Sequence, residues 1–456
     1  MKVLFVTHSV DKFFYAGVAS MSAFLKEAGH DAALINYDAS YDDERFKREM
    51  TAHAPDIVGF SCLTYQWPKI QELARITKQS LDVPVICGGF HVSFSPEEVI
   101  HCPWIDIACK GEGDYAIVDL CNALETGGDT RNIPNLWVKE EGPGGELIIH
   151  RNDPRRLFRN MDDYPYWDRE VCNFDQHLEE KASMTYQHLS NCMPLSAGRG
   201  CPYRCAYCGN QSLLNLYKGK GSYVRRRSVP SLMREIHMAL DKYPHIQSLE
   251  FWDEDFFAIS HSWLREFFKT YKREVGLPYM LGVRADNCTE ENLEEAADSG
   301  CHLICMGVEH GDEEFRKKYL QRNMSNDKMI KAFRRARELG MERASLNIIG
   351  FPYETAELAR HTLDLNRTLD PDYFHFYVYQ VFPGCDLFKL CQREGFMPEF
   401  YYATYQTPEG AIKQPTFSVE ELRSLWADFE AFRMDVDEKR AARQAAQQNR
   451  AVLTIS

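Results

Sequence analysis

The stretch "SAGRGCPYRCAYCGN", residues 196–210, places Cys201, Cys205 and Cys208 in a Cys-x-x-x-Cys-x-x-Cys pattern. Around it, strand and helix signals alternate from Met193 onward. "MPLSAG" is followed by the cysteine loop, the helical "SVPSLMREIHMALDKY", then "IQSLEFWDEDF", "YMLGVRADN", "HLICMGVEHG", "RASLNIIGFP" and "YFHFYVYQVFPG", each apolar run separated from the next by a helical segment. About six strand-helix units predict a parallel β/α barrel that is only partial, since a complete one has eight. This unit is expected over 193–395.

Upstream, a separate alternation runs over 1–124. "KVLFVTH", "DAALINYD", "DIVGFSCLT", "VPVICGGFH" and "WIDIACKGEGD" read as strands buried on both faces, with helices such as "AGVASMSAFLKEAGH" between them. The pattern predicts a doubly wound parallel sheet of the Rossmann-like kind, with its ligand at the carboxyl ends of the strands. Residues 125–192, with turn chemistry ("ETGGDTRNIPN", "EEGPGGE") and weak strands, are expected to be a connector wrapped over the surface, and 396–456 a charged helical extension.

Composition narrows the classes. A chain of 456 residues exceeds one ordinary core, and a formal charge of -14 argues against nucleic acid as the main partner. The tail "EKRAARQAAQQNR" is too short and mixed for an RNA-binding module. No run of 18 apolar residues occurs, and "MKVLFVTHSV" lacks a cleavage site, so a cytoplasmic chain with no transmembrane segment is expected. Of the 15 cysteines, those outside the cluster lack framework spacing and read as buried small hydrophobes of a reducing compartment. Structural zinc normally takes four ligands, and near the cluster the sequence offers only Cys192 as a fourth. Three thiolates suit a 4Fe-4S cluster, which keeps one iron open for a small molecule.

Spacing, loop position and barrel together resemble the radical S-adenosylmethionine superfamily. The resemblance implies that the open iron is chelated by S-adenosylmethionine, which is cleaved reductively to methionine and a 5′-deoxyadenosyl radical. It further implies roles for Tyr207 just before the third cysteine, Asp253 near the methionine moiety, Arg284 facing the carboxylate, Glu309 at the ribose, and Ile349 with Gly350 at the adenine.

The N-terminal segment is similar to the cobalamin-binding domain that precedes this barrel in a large subgroup. "FSCLT" supplies Ser61 and Leu63, "CGGFH" supplies Gly88, Gly89 and His91, and "KGEGD" supplies Gly111 and Glu112. Glycines there let backbone approach a flat corrin. In the first loop Asp11 is retained, but Phe13 stands where cobalamin mutases carry the cobalt-ligating histidine. Of the other histidines, His8, His91 and His302 are read as structural more readily than as ligands.

The resemblance implies a cobalamin-dependent methyltransferase acting on an unactivated carbon of a small molecule or lipid, with a donor such as flavodoxin or ferredoxin. The alternative is a radical dehydratase, cyclase or rearranging enzyme, for example in aminosugar diol dehydration, whose cobalamin-like domain is vestigial. A redox sensor is a further class, but it would not need the ordered polar groups at the barrel strand ends. The sequence does not single out a residue for the substrate chemistry.

Overall fold

A computed structural model describes residues 1–9, 14–179, 191–399, 401–403 and 406–455, with backbone alone for 447–455. The chain divides into two compact units. The first comprises Met1–Arg199, Gly209–Ser248 and Phe382–Gly384; the second comprises Gly200–Cys208, Leu249–Val381 and Cys385–Ser456.

In the first unit the strands are β1 (Lys2–His8), β2 (Asp31–Tyr37), β3 (Ile57–Ser61), β4 (Val85–Gly88), β5 (Ile107–Cys109), β6 (Leu136–Glu141) and β7 (Leu147–Arg151). They form one sheet in the order β2-β1-β3-β4-β5-β6-β7. The first five pair in parallel, and Val3, Leu4 and Val6 of β1 are wholly buried, as a strand covered on both faces requires. The order 2-1-3-4-5 reverses direction between β1 and β3, which opens a crevice at the carboxyl ends of those strands. β6 and β7 then extend the sheet antiparallel. Part of the stretch expected to be a surface connector is therefore sheet: Leu136, Trp137 and Val138 are buried and pair with β5, although the charged ends of both strands hide that pattern.

Four short strands follow: β8 (Cys192–Leu195), β9 (Gly198–Arg199), β10 (Arg225–Arg226), which pairs antiparallel with β9, and β11 (Ser248–Phe251). β12 (Tyr279–Val283), β13 (Cys301–Glu309), β14 (Glu342–Ile349) and β15 (Tyr373–Val378) continue the series. The second sheet has the order β15-β14-β13-β12-β11-β8, open and six-stranded as the sequence predicts, with parallel pairing from β11 to β15. Its helices start on side-chain caps: Ser260, Thr289, Asp312, Ser325 and Thr355 each accept a bond from a backbone N–H three residues on. Such caps end each strand-to-helix loop at a defined residue, and the polar groups of the site sit on those loops.

The expected C-terminal helix runs Val419–Ile455. Its Leu422, Leu425, Phe429 and Val436 pack with Phe374 and Phe376 of β15, covering a sheet face that would otherwise meet water. Among the described residues no helix is long and apolar enough to cross a membrane.

Candidate functional site: two strand-end constellations

At the carboxyl ends of β1, β3, β4 and β5 lies a cavity of about 340 Å³. Phe5, Ile86 and Ile117 line its apolar part, and Gly17, Ser61, Gly88, Gly89, Gly111 and Glu112 also border it. Two glycines are demanded by the chain itself. Gly89 has φ +100°, and a Cβ there would stand 2.6 Å from the Cys62 carbonyl oxygen, because the loops after β3 and β4 are tied by Cys62 N–H to Gly88 O (2.9 Å) and His91 N–H to Cys62 O (3.1 Å). Gly111 has φ +86° and lies beneath the Tyr217 hydroxyl, which accepts from Glu112 N–H at 2.6 Å. Gly88 differs, since its Cβ would meet only Cys109 at an ordinary 3.6 Å.

The remaining residues expected in this region separate. Leu63 is exposed and His91 wholly buried, and neither borders the cavity. His91 packs against Trp67, with ring centroids 5.2 Å apart, and its Nε2 is 3.5 Å from Glu98. Glu112 borders the cavity but is paired with Arg225 and with Arg199, the latter at 3.2 Å. Arg199 also grips Asp114 through two bonds of 2.6 and 3.0 Å. Burial pushes the Asp114 carboxyl up, but the Arg199 charge and bonds outweigh it and hold the group below its usual range. Asp11 and Phe13 lie outside the described residues. His8 bonds the Tyr37 carbonyl and His302 faces Glu342, both structural roles.

In the second unit the cysteine loop is pinned through Ala206, whose N–H donates to Leu320 O and whose carbonyl accepts from Leu387 N–H, both at 3.0 Å. Cys205 is buried and Cys201 and Cys208 are partly exposed. Burial pushes the Cys201 thiol up to about 12, so ionised ligands here need compensating positive charge. Two guanidinium groups supply it. Arg284 Nη1 is 3.5 Å and Arg322 Nη1 3.9 Å from Cys205 Sγ. Among the described residues no three His, Cys, Asp or Glu side chains converge as ligands of a single ion. A 4Fe-4S cluster takes each of three thiolates on its own iron. The donor set and the neighbouring cations fit a cluster.

Glu309 ends β13 in a left-handed conformation (φ +68°), and the pairing with β14 shifts register between Gly307 and Glu309. Its carboxylate lies near the Tyr207 hydroxyl and 3.8 Å from Arg322. Gly307 makes room for this pair, since a Cβ would stand 2.4 Å from Glu309 Oε1. Burial raises the Glu309 pKa despite Arg322. Cys205, Tyr207, Arg284 and Glu309 are thus brought together, and Arg322 joins them.

The other residues expected around S-adenosylmethionine have partners within the chain. Arg284, read as facing a bound carboxylate, is gripped by its own Asp286 through two bonds of 3.0 Å and lies over the Tyr203 ring at 3.8 Å. Asp253 is buried just past the end of β11, and Asp255 is joined to the cysteine loop as well: Asn287 Nδ2 donates to both Asp255 and the Tyr203 hydroxyl at 2.6 Å. The backbone of Ile349 and Gly350 is already engaged, the Ile349 carbonyl accepting from Tyr379 N–H and Gly350 N–H donating to Glu354. Glu354 in turn meets His310 Nε2 at 3.1 Å, both fully buried, so this pair ties the end of β13 to the end of β14. Arg322, Asp255, Asn287 and Glu354 escaped the sequence reading; Arg322 stands in "LQRNMSN", an ordinary polar loop with no spacing signal.

Family models match both halves: the B12 binding domain over residues 4–121 and the radical SAM superfamily over 195–365. An uncharacterized methyltransferase of Pyrococcus horikoshii is 24% identical over 414 residues, 90% of this chain and 85% of the relative. An anaerobic magnesium-protoporphyrin IX monomethyl ester cyclase of Rubrivivax gelatinosus is 23% identical over 384 residues, 82% of this chain and 65% of the relative. Among solved structures, the radical S-adenosylmethionine methyltransferase TsrM from Kitasatospora setae, with cobalamin and a [4Fe-4S] cluster bound, has a TM-score of 0.68 at 17% identity over 87% of this chain and 79% of that one, a likeness of fold. The chain belongs to the radical S-adenosylmethionine superfamily, as an enzyme of the 4Fe-4S cluster and S-adenosylmethionine that carries an N-terminal cobalamin-binding domain.

Proposed function

We propose that this enzyme transfers a methyl group to an unactivated carbon of a small molecule or lipid, in a cobalamin-dependent reaction. The observation that carries the reading is the cavity of about 340 Å³ at the switch point of the first sheet, apolar within and edged by glycine. A domain that had lost its cofactor would be free to fill that space with side chains, since empty apolar volume costs stability. The methyltransferase name of the Pyrococcus horikoshii relative supports the same direction.

When bound, the cluster and cobalamin supply electron delivery to S-adenosylmethionine and a carrier for the methyl group. The chain's own residues bind and orient. Cys201, Cys205 and Cys208 hold the cluster. Glu309 accepts from the ribose hydroxyls of S-adenosylmethionine, with Tyr207 fixing its carboxylate. Arg322 takes the carboxylate of that molecule: its Nε is buried without a hydrogen-bond partner, and Glu309, at 3.8 Å, does not saturate its charge. Gly88 leaves room for the corrin, Gly89 and Gly111 hold the tight turns that border the same cavity, and Ser61 borders it too.

The reading includes a cytoplasmic location and a one-electron donor such as flavodoxin or ferredoxin. It is tested by anaerobic incubation of reconstituted protein with reductant, S-adenosylmethionine, cobalamin and candidate substrates. Methyl transfer yields S-adenosylhomocysteine alongside 5′-deoxyadenosine. 5′-Deoxyadenosine and converted substrate without S-adenosylhomocysteine would replace it with a dehydratase, cyclase or rearranging enzyme.

A further inference from the structure

Arg284 is a buried cation whose geometry is over-determined. Asp286 holds Nε and Nη2 through two bonds of 3.0 Å, the Tyr203 ring lies 3.8 Å from the guanidinium carbon, and the backbone N–H of Arg284 donates to Asp255 at 3.3 Å. Asp255 and Tyr203 are themselves linked through Asn287. With the fork held on one side, Nη1 is left directed at Cys205 Sγ, at 3.5 Å. Tyr203 belongs to the cysteine loop, two residues before Cys205, so the stacking fixes loop and cation against each other.

We propose that Arg284 is a positioning residue for the cluster: its Nη1–H donates to the Cys205 sulfur and stabilises the reduced cluster, raising its reduction potential. The inference rests on the cluster reading above. Hydrogen bonds to ligand sulfurs, net charge and burial are the levers by which a protein sets such a potential. The step is the gain of one electron from a low-potential donor of the flavodoxin or ferredoxin class. No proton moves, because a guanidinium stays cationic at any working pH. Added electron density on the cluster strengthens the N–H···S bond, so the bond favours the reduced side. Asp286 offsets the formal charge of Arg284, which leaves direction rather than net charge as its main contribution. A lysine would keep the charge and lose the fork that aims it.

The test is an EPR-monitored redox titration of the anaerobically reconstituted full chain, with iron and sulfide counted in the same samples. Arg284→Gln is expected to keep a complete cluster and to lower its midpoint by at least a tenfold change in the reduction equilibrium, about 59 mV for one electron. Arg284→Lys is expected to lower it by less. A complete cluster with the wild-type midpoint in Arg284→Gln overturns the inference and leaves the cluster reading standing. If Arg284→Gln assembles no cluster, Arg284→Lys decides: a lowered midpoint supports the inference and an unchanged one overturns it. A wild-type chain that takes up no iron overturns both readings.

Discussion

The two strand-end sites are built on opposite plans. In the first unit the site is mostly room: glycines at the ends of β4 and β5 border a largely apolar cavity, and its charges, Glu112, Asp114 and Arg199, are paired with one another. In the second it consists of buried charge, with Arg284, Arg322 and Glu309 gathered around Cys205. A large flat ligand needs space and backbone approach, whereas a small charged ligand and an iron-sulfur cluster need groups that keep charge stable away from water. Mutations should therefore act differently in the two places. Added volume should damage the first, and removed charge the second.

The largest contrast concerns the cysteines. Cys201→Ala, Cys205→Ala and Cys208→Ala together should abolish the oxygen-sensitive chromophore and the bound iron, whereas Cys62→Ala or Cys301→Ala should leave both intact. Cys62 is buried at the loop after β3 and Cys301 opens β13, so neither belongs to the cysteine loop. Iron and sulfide counts decide it. Next, Glu309→Ala should lower 5′-deoxyadenosine formation roughly 10- to 100-fold with the cluster retained, matching about 1.5–3 kcal/mol for a lost bond to a charged group. Unchanged turnover would make Glu309 structural.

The glycines sharpen the comparison within the first unit. Gly89→Ala should cost on the order of 1–3 kcal/mol in denaturant unfolding, because its positive φ and the Cys62 backbone at 2.6 Å both oppose a side chain. Gly88→Ala should fold normally, and Gly88→Leu should fold yet weaken cobalamin binding. Equal unfolding behaviour of Gly88→Ala and Gly89→Ala would break that distinction.

A pH-dependent effect belongs to the second unit alone. Burial drives the His375 pKa down to about 4, with Asp437 opposing and Arg433 and Arg440 reinforcing the shift. The unfolded chain then takes up the proton first as pH falls. Stability should be full above about pH 6.5 and decline toward pH 4, by of order 1–3 kcal/mol. His375→Phe should flatten that acid-side slope in unfolding experiments at several pH values.

Periodicity made both alternations legible, because strands buried on two faces leave continuous apolar runs such as "KVLFVTH". It gave β6 and β7 only as weak strands of a connector, because their outer residues are charged and their pairing is antiparallel at a sheet edge. The cysteine loop was legible from spacing, and Glu309 was singled out by resemblance to the family's fourth-strand position. Arg322 was not, since its place depends on a turn that returns a loop arginine to Cys205 from 117 residues away. Position along a strand end also did not single out Asp255, whose side-chain direction brings it to Asn287. His91 looked like part of the cavity because it follows Gly89, yet the short helix from Phe90 to Phe94 turns it into the core against Trp67.

The central claim is that the room in the first unit holds cobalamin. Titrating anaerobically purified chain with cobalamin, followed by absorption and by cobalt retained after gel filtration, tests it directly. The account predicts a shifted spectrum that saturates at one cobalt per chain, with Gly88→Leu binding more weakly. An unshifted spectrum and no retained cobalt in the wild-type chain, with its iron-sulfur cluster complete, would contradict it.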